Sequence, residues 1–147
     1  MSKVLIAEDD LMIADLAEDM LVGQGYEVCG IARTVPEAVA LGRQHRPDLA
    51  VIDLRLADGG LGTQIAAQLA DHPKLGILYA TANVSDIPLT AADGHACLVK
   101  PYSAAALVRG LEIVAEIIAT GTASAPFPSG FKLLPPAASA PEPPSHD

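Results

Sequence analysis

Short apolar runs alternate with longer segments of helical periodicity over the first 120 residues of the chain. A short continuous apolar run is typical of a buried strand, whereas apolar residues that recur every three or four positions are typical of a helix. Strands that are apolar on both faces and alternate with helices indicate a parallel sheet covered on both sides. The pattern predicts five strands, at residues 4–7, 27–32, 49–52, 75–80 and 96–99. It predicts helices at residues 11–24, 35–45, 62–71 and 103–119.

Five parallel strands in a chain of 147 residues favour a flavodoxin-like α/β fold, a doubly wound five-stranded parallel sheet with strand order 2-1-3-4-5. Strands two and five are opposite edges in this order, so we expect Cys29 and Cys97 to lie apart as free thiols. Pro88 interrupts the segment between the fourth and fifth strands. At most a shortened fourth helix is expected there.

The first and last helices carry wide apolar faces. In the first helix, the residues predicted to face inward are Ile13, Leu16, Ala17, Met20 and Leu21, and those predicted to face outward are Asp15, Glu18 and Asp19. In the last helix, Leu107, Leu111, Val114 and Ile118 are predicted to face the core, with Ile113 and Ile117 to one side. This surplus is either a wide core stripe or a surface for a homodimer or another partner. Thr34 and Ser103 are predicted N-caps.

The composition changes near residue 120. Seven of the twelve prolines lie in residues 121–147, among Ala and Ser. Proline at this density disfavours helices and central strands, so residues 1–120 are predicted as the domain and residues 121–147 as a tail. The tail is interpreted as a flexible appendage, a short docking peptide or a strap over the domain. Its large apolar residues are Phe127, Phe131, Leu133 and Leu134.

Composition and charge exclude several classes of function. A formal charge of -9 repels nucleic-acid backbones, and an aromatic content of 3% leaves little for base stacking. Two cysteines are too few for a disulfide framework and indicate a reducing compartment. The N-terminal apolar run is too short for a signal peptide or a membrane span. We therefore expect a cytoplasmic protein that binds neither nucleic acid nor membranes.

Acidic and polar residues follow the predicted strands at their carboxyl ends. Glu8, Asp9 and Asp10 follow the first strand, Asp53 the third, Thr81 the fourth and Lys100 the fifth. Binding sites of open parallel sheets lie at this edge. Each residue alone is also explained as a helix cap or a turn residue, and Asp10 is predicted to cap the first helix. Together, the converging carboxylates favour a Mg²⁺ site.

The same constellation suits phosphoryl transfer to a carboxylate. Asp53 is the candidate nucleophile, and a metal ion is expected to neutralise the phosphoryl oxygens. The Thr81 hydroxyl and the Lys100 ammonium are expected to hold the remaining oxygens. Lys100 would supply a compact positive charge to the transition state.

The chain resembles the receiver domain of bacterial two-component response regulators. The matching segments run from Val4 to Asp10, from Leu49 to Leu54, from Ala80 to Ala82 and from Leu98 to Tyr102. The resemblance implies that Asp53 accepts a phosphoryl group from a sensor histidine kinase or a histidine phosphotransfer protein. It implies that Asp9, Asp53 and the Arg55 carbonyl bind Mg²⁺, with Glu8 acting through a metal-bound water. It also implies a cis peptide bond before Pro101, in the loop that presents Lys100.

Several positions depart from the family pattern. Ala57 replaces a proline, and Cys97 stands where an aromatic residue usually moves inward together with Thr81. Tyr102 or Tyr79 is the candidate substitute for that aromatic switch. Arg55 and Asn83 follow Asp53 and Thr81 by two residues, and we expect them to set the lifetime of the phosphoryl-aspartate.

No second domain is indicated after the predicted receiver domain, so we expect a stand-alone response regulator without a DNA-binding or enzymatic output domain. Its chemistry would be limited to Mg²⁺-dependent self-phosphorylation and autodephosphorylation. Signals would pass through contacts with a downstream protein, and the acidic face of the first helix is a candidate kinase-docking surface. The alternative is a receiver-like interaction module that works without phosphorylation. An aspartate-dependent phosphatase is disfavoured because Arg55 stands where a second Asp is expected, and a flavodoxin because Glu8, Asp9 and Asp10 would repel a bound phosphate.

Overall fold

The computed structural model describes residues 2–82 and 88–137, in which a sheet is covered by helices on both faces. The helices are α1 (Leu11–Gly23), α2 (Val35–His45), α3 (Gly62–Gln68) and α4 (Ala104–Thr120), with a 3-10 turn at Ala57–Gly59. The strands are β1 (Lys3–Ala7), β2 (Glu27–Ala32), β3 (Leu49–Asp53), β4 (Gly76–Thr81), β5 (Ala96–Val99) and β6 (Phe131–Leu133).

The strand order is β2-β1-β3-β4-β5-β6. The first five strands are parallel, which confirms the predicted fold class and order. The sheet has a sixth strand that the pattern does not predict, because β6 pairs antiparallel with β5. The high proline content of residues 121–147 argued against a strand in this segment. However, residues 130–134 contain no proline, so three of them can form the hydrogen bonds of a strand pair. Cys29 and Cys97 are free, as expected.

Two apolar clusters hold the layers together, one on each face of the sheet. The first contains Leu5 and Ile52 of the sheet with Ile65 of α3. The second contains Ile6 of the sheet with residues of α1 and α4 such as Leu21. Neighbouring residues of one strand serve opposite clusters because side chains alternate across a strand. The central strands are therefore continuous apolar runs in the sequence.

Side-chain caps fix where three helices begin. The Asp10 carboxylate accepts the backbone N–H groups of the α1 start at 3.0 and 3.3 Å. The Thr34 hydroxyl accepts the Glu37 N–H at 3.3 Å, and the Ser103 hydroxyl accepts the Ala106 N–H at 3.0 Å. All three predicted caps are confirmed. Each cap stabilises its helix start by about 1 kcal/mol.

The inward face of α1 differs from the prediction. Ala14, Ala17 and Leu21 are buried, whereas Leu16 is 55% exposed and its predicted inward position is wrong. Ala14 and Ala17 are small, so their positions set the face that approaches the sheet. Leu16 is displaced around the helix toward solvent. It lines an open groove of about 380 Å³ between α1 and the loop after β5.

The apolar surplus of α4 is covered within the chain. Of the two interpretations of this surplus, the full burial of Ile113 fits the wide core stripe and not a homodimer surface, and Ile117 is half-buried. The tail accounts for part of this cover. A Cβ at Gly110 would lie 3.4 Å from the ring of Phe131, so this glycine admits the ring against α4. Of the three interpretations of the tail, the strap is the one that fits residues 121–137.

The connection between β4 and β5 is described in part. Residues 83–87 lie outside the described residues. Residues 88–90 form no helix and residues 91–93 form a turn, so the described part of this connection contains no shortened fourth helix. The Asp93 carboxylate accepts the Thr90 N–H at 2.9 Å, which closes the turn.

Gly62 is expected to be indispensable for the packing of α3 against β3. A Cβ at this position would collide with the Asp53 carbonyl oxygen and with the Ile52 side chain. We expect Gly62→Ala to lower the free energy of unfolding by about 1–3 kcal/mol in urea denaturation. Gly23→Ala is the matched control, because no atom lies within 4 Å of its Cβ position. It should leave stability unchanged or raise it by up to about 1 kcal/mol. Equal effects of the two exchanges would contradict this account.

Candidate functional site

The candidate site lies at the carboxyl edge of the sheet. Glu8 and Asp9 follow β1, Asp53 ends β3, Thr81 ends β4 and Lys100 follows β5. Because these strands are parallel and adjacent, their ends meet at one edge. Residues that are distant in the sequence therefore form a compact polar cluster.

Lys100 bridges two carboxylates of this cluster. Its ammonium nitrogen Nζ donates to Glu8 Oε1 at 2.7 Å and to Asp53 Oδ2 at 2.9 Å. The side chains are poorly exposed, 16% for Lys100, 6% for Glu8 and 12% for Asp53. Charge-assisted hydrogen bonds of this length are strong where solvent is scarce. Removing Lys100 would leave two carboxylates without their cation.

Burial and their mutual hydrogen bond have opposite effects on the pKa values of Glu8 and Lys100. Burial, followed by the hydrogen bond to Asp53, raises the pKa of Glu8 from 4.5 to about 7, although the hydrogen bond to Lys100 lowers it. Burial lowers the pKa of Lys100, but its hydrogen bonds to Glu8 and Asp53 outweigh burial and leave the pKa raised. Lys100 is therefore firmly cationic at neutral pH. Glu8 is poised to gain or lose a proton there.

Three carboxylates converge on one point. Glu8, Asp9 and Asp53 each offer an oxygen, and these atoms all lie within 4.8 Å of one another. Carboxylate oxygens are hard donors that suit Mg²⁺, and one Lys100 cation cannot neutralise three carboxylates. The donor set therefore fits a hard divalent cation. Asp10 does not belong to it, because its carboxylate caps α1.

Backbone hydrogen bonds hold Asp53 in place. Its Oδ1 accepts the Arg55 N–H at 3.2 Å, so both carboxylate oxygens have donors. The next residue, Leu54, donates its N–H to Ala80 at 3.3 Å and accepts from Gly62 at 2.8 Å. The carboxylate is thus fixed on two sides and remains partly open to solvent. A fixed, accessible oxygen is what a nucleophile requires.

The β5–α4 loop positions Lys100 beside Thr81. The Lys100 N–H donates to the Thr81 carbonyl at 2.8 Å, and Thr81 itself is 4% exposed. The Lys100–Pro101 peptide bond is cis, as the resemblance implies. Tyr102 follows, half-buried; burial and then the charge of Glu8 raise the pKa of its hydroxyl.

Cys97 and Tyr79, two further expected residues, lie away from the cluster. Cys97 is buried in the middle of β5, in register with Tyr79 of β4. The Tyr79 hydroxyl donates to the Asp93 carbonyl at 2.6 Å, and this fully buried ring belongs to the core. The Arg55 side chain is exposed. Asn83 lies outside the described residues.

The tail reaches the neighbourhood of the site, which the sequence pattern did not indicate. The Val99 N–H, one residue before Lys100, donates to the Gly130 carbonyl at 3.0 Å. The available signal was the Ser129-Gly130 pair, a common turn, followed by the apolar-polar alternation from Phe131 to Leu133.

Among the described residues, no helix combines the length and the apolar character that a membrane span requires.

Comparison with known families matches most of the chain. Residues 4–112 match the family model of the response regulator receiver domain. The transcriptional regulatory protein PdtaR of Mycobacterium tuberculosis is 38% identical over 115 residues, which cover 76% of this chain and 55% of PdtaR. The phyllosphere-induced regulator PhyR of Methylorubrum extorquens is 35% identical over 82 residues, which cover 55% of this chain and 31% of PhyR. The chain therefore spans about half of the first relative and about a third of the second.

Solved structures show the same fold. A CheY-like response regulator receiver domain protein from Methanospirillum hungatei superposes with a TM-score of 0.73 at 25% identity, covering 83% of this chain and 99% of that one. The receiver domain of a modulated diguanylate cyclase from Desulfovibrio desulfuricans gives a TM-score of 0.71 at 29% identity, with coverages of 83% and 99%. Each superposition covers most of this chain and nearly all of the other.

Proposed function

The chain belongs to the response regulator receiver domain family, and we propose that Asp53 is its phosphoacceptor. The donor would be the phosphohistidine of a sensor histidine kinase or of a histidine phosphotransfer protein. The observation that carries the proposal is the contact of 2.9 Å between Lys100 Nζ and Asp53 Oδ2, within a cluster of three converging carboxylates. Receiver domains are signalling domains rather than enzymes that turn over a free substrate.

The proposed reaction is an exchange of one phosphorus bond for another. An Asp53 carboxylate oxygen attacks phosphorus, the phosphorus–nitrogen bond to the donor histidine breaks, and the bond electrons stay with the imidazole. The Lys100 ammonium, which lies 2.9 Å from Asp53, would donate a hydrogen bond to a phosphoryl oxygen as negative charge develops there. The Thr81 hydroxyl at the neighbouring strand end would donate to another. Water would later hydrolyse the acyl phosphate, with Arg55 and Asn83 setting its lifetime.

The residues fit a resident Mg²⁺ ion. Asp9 and Asp53 would hold it through their side chains and Arg55 through its carbonyl, with Glu8 acting through water. When bound, the ion supplies positive charge that stabilises the phosphoryl oxygens in the transition state. The oxygen cluster within 4.8 Å supports this assignment.

The signal would leave through protein contacts. We place the receiver domain in residues 1–120 and the tail in residues 121–147, and we place the protein in the cytoplasm. The acidic residues of α1 would receive the kinase, and a downstream protein would read the phosphorylated state. The alternative, an interaction module that works without phosphorylation, is favoured by one observation: Cys97 occupies the aromatic switch position and is buried.

Intact-mass measurement after incubation with acetyl phosphate tests the proposal against this alternative. We expect a gain of one phosphoryl group with Mg²⁺ and none when Mg²⁺ is replaced by a chelator. Beryllofluoride, which mimics the acyl phosphate, should bind under the same conditions. Failure of both reagents in the presence of Mg²⁺ would support the phosphorylation-independent module instead.

A further inference from the structure

The edge of β5 is paired with an extended segment of the same chain, β6. We call the surface that β6 covers, the β5 edge with the adjoining face of α4, the seat. β6 pairs antiparallel with β5 through three residues, Phe131 with Leu98, Lys132 with Cys97 and Leu133 with Ala96. The ladder continues at both ends: Val99 donates to Gly130 at 3.0 Å, and Leu134 donates to His95 at 3.1 Å. Main-chain hydrogen bonds of this kind recognise any extended chain, whatever its sequence.

The seat also selects side chains. The Phe131 ring lies against Gly110, and Phe131 and Leu133 both pack on the apolar cluster shared by α1 and α4. Lys132 points to the other side and is exposed. The seat therefore fits an aromatic, a polar and an aliphatic residue in succession.

The occupant is loosely packed compared with the strands beneath it. Phe131 and Leu133 are only half-buried, whereas β4 is buried along its whole length. A cavity of about 410 Å³ lies between Pro126–Ser129 and the start of α4, and one of about 210 Å³ lies beside Leu133 and Leu134. Both are open to solvent, so the strap is reached by solvent on both sides of β6. Contacts that are few and incomplete make a segment easy to exchange.

Arg109 is the principal polar tie of the strap. Its guanidinium donates to the Pro126 carbonyl at 3.0 Å and to the Ser124 carbonyl at 2.8 Å. These bonds anchor the approach to β6 without contributing to the β5 ladder. At its entrance the strap is also held by the Ser124 hydroxyl, which donates to the Glu116 carboxylate at 2.9 Å. Beyond the three strand pairs, the Ala91 N–H donates to the Pro135 carbonyl at 2.8 Å.

We propose that the β5 edge is a docking surface for an extended segment of a partner protein, with aromatic–polar–aliphatic alternation, and that β6 holds its place until the partner arrives. The partner strand would replace β6 by the same main-chain pairing. Because Gly130, directly before β6, accepts the Val99 N–H, the exchange would act one residue from Lys100. The proposal rests on the strap and holds whether or not Asp53 is phosphorylated.

A peptide with the sequence of residues 124–136, labelled with fluorescein, tests the seat on the full chain by anisotropy. We expect weak binding to the parent and binding at least about fivefold tighter to Arg109→Ala, because the strap vacates the seat more often. Arg43→Ala is the matched control, since Arg43 also donates to a backbone carbonyl, that of Gln68 on the other face. It should bind like the parent, and a peptide carrying F131D and L133D should bind to none of these chains.

A reversible lock provides the second arm. Lys132→Cys places a thiol opposite Cys97, and opposed residues of an antiparallel ladder lie at a distance that a disulfide spans. With Cys29→Ser as background, copper phenanthroline would oxidise the two thiols to the disulfide and take up their electrons. Peptide binding should vanish in the oxidised chain and return with reductant. In the control Lys74→Cys, remote from β5 in sequence, the oxidant should leave binding unchanged.

Three results would overturn the proposal. One is the absence of peptide binding by Arg109→Ala, and another is equal binding by the locked and the reduced chain. The third is a concentration-dependent dimer of the parent in light scattering that the lock prevents. That result would assign the seat to a second copy of this chain and remove the need for a separate partner.

Discussion

Exchange of Asp53 for asparagine should abolish the Mg²⁺-dependent gain of a phosphoryl group from acetyl phosphate. An amide at this position lacks the anionic oxygen that attacks phosphorus, and it removes one charge from the carboxylate cluster around Lys100. Among the described residues, Glu8 also contacts the Lys100 ammonium, at 2.7 Å, but its side chain is less exposed than that of Asp53, 6% against 12%. We therefore expect complete loss rather than slowing. Intact mass reads the result directly.

Asp58→Asn is the matched control for this exchange. Asp58 lies in the same β3–α3 connection, is exposed and has a φ of 62°, a conformation that asparagine tolerates well. It should be phosphorylated like the parent. Retention of the phosphoryl group by Asp53→Asn, with loss at another acidic residue, would relocate the acceptor and contradict the proposed function.

Exchange of Glu8 for glutamine should stabilise the metal-free protein above neutral pH. The folded-state pKa of Glu8 is raised to about 7 from 4.5, chiefly by burial, so the folded chain holds this proton more tightly than the unfolded chain. The stability it contributes is fully present below pH 4.5 and is lost as the pH rises through 7. A shift of this size corresponds to up to about 3 kcal/mol. Glutamine does not titrate, so the variant does not lose this part of the unfolding free energy as the pH rises.

Urea denaturation in chelator-containing buffer at several pH values measures this effect. The unfolding free energy of Glu8→Gln relative to the parent should rise by up to about 3 kcal/mol between pH 4.5 and pH 8. Glu27→Gln, an exposed exchange on β2, is the control and should show no comparable trend. A difference between Glu8→Gln and the parent that stays constant with pH would show that Glu8 does not titrate in this range.

The sheet and the convergence of the candidate residues were predictable because both follow from local rules. Buried parallel strands appear as apolar runs, and helices as three-to-four-residue periodicity. Once the strands are parallel, their carboxyl ends share an edge. The neighbourhood of Glu8, Asp53 and Lys100 then follows from the sequence positions alone. Distances, exposure and the raised pKa of Glu8 depend on packing and required the structure.

Helix faces and the tail were less predictable, for different reasons. Leu16 is as apolar as Leu21, and only the close approach of Ala14 and Ala17 to the sheet decides which leucine is buried. The burial of Ile113 could not be read from α4, because a helix pattern does not show what covers it. β6 is stabilised by pairing with a strand more than thirty residues earlier in the chain, against its own proline-rich context.

The sequence by itself determined the fold class, the order of the first five strands and the set of polar residues at one edge of the sheet. These properties follow from hydrophobic periodicity and from chain direction, which act over a few residues at a time. Only the tertiary structure decided that Lys100 binds both Glu8 and Asp53, and that a tail strand closes the edge of β5. Such contacts join residues distant in the chain, and their energies depend on burial that no local pattern encodes.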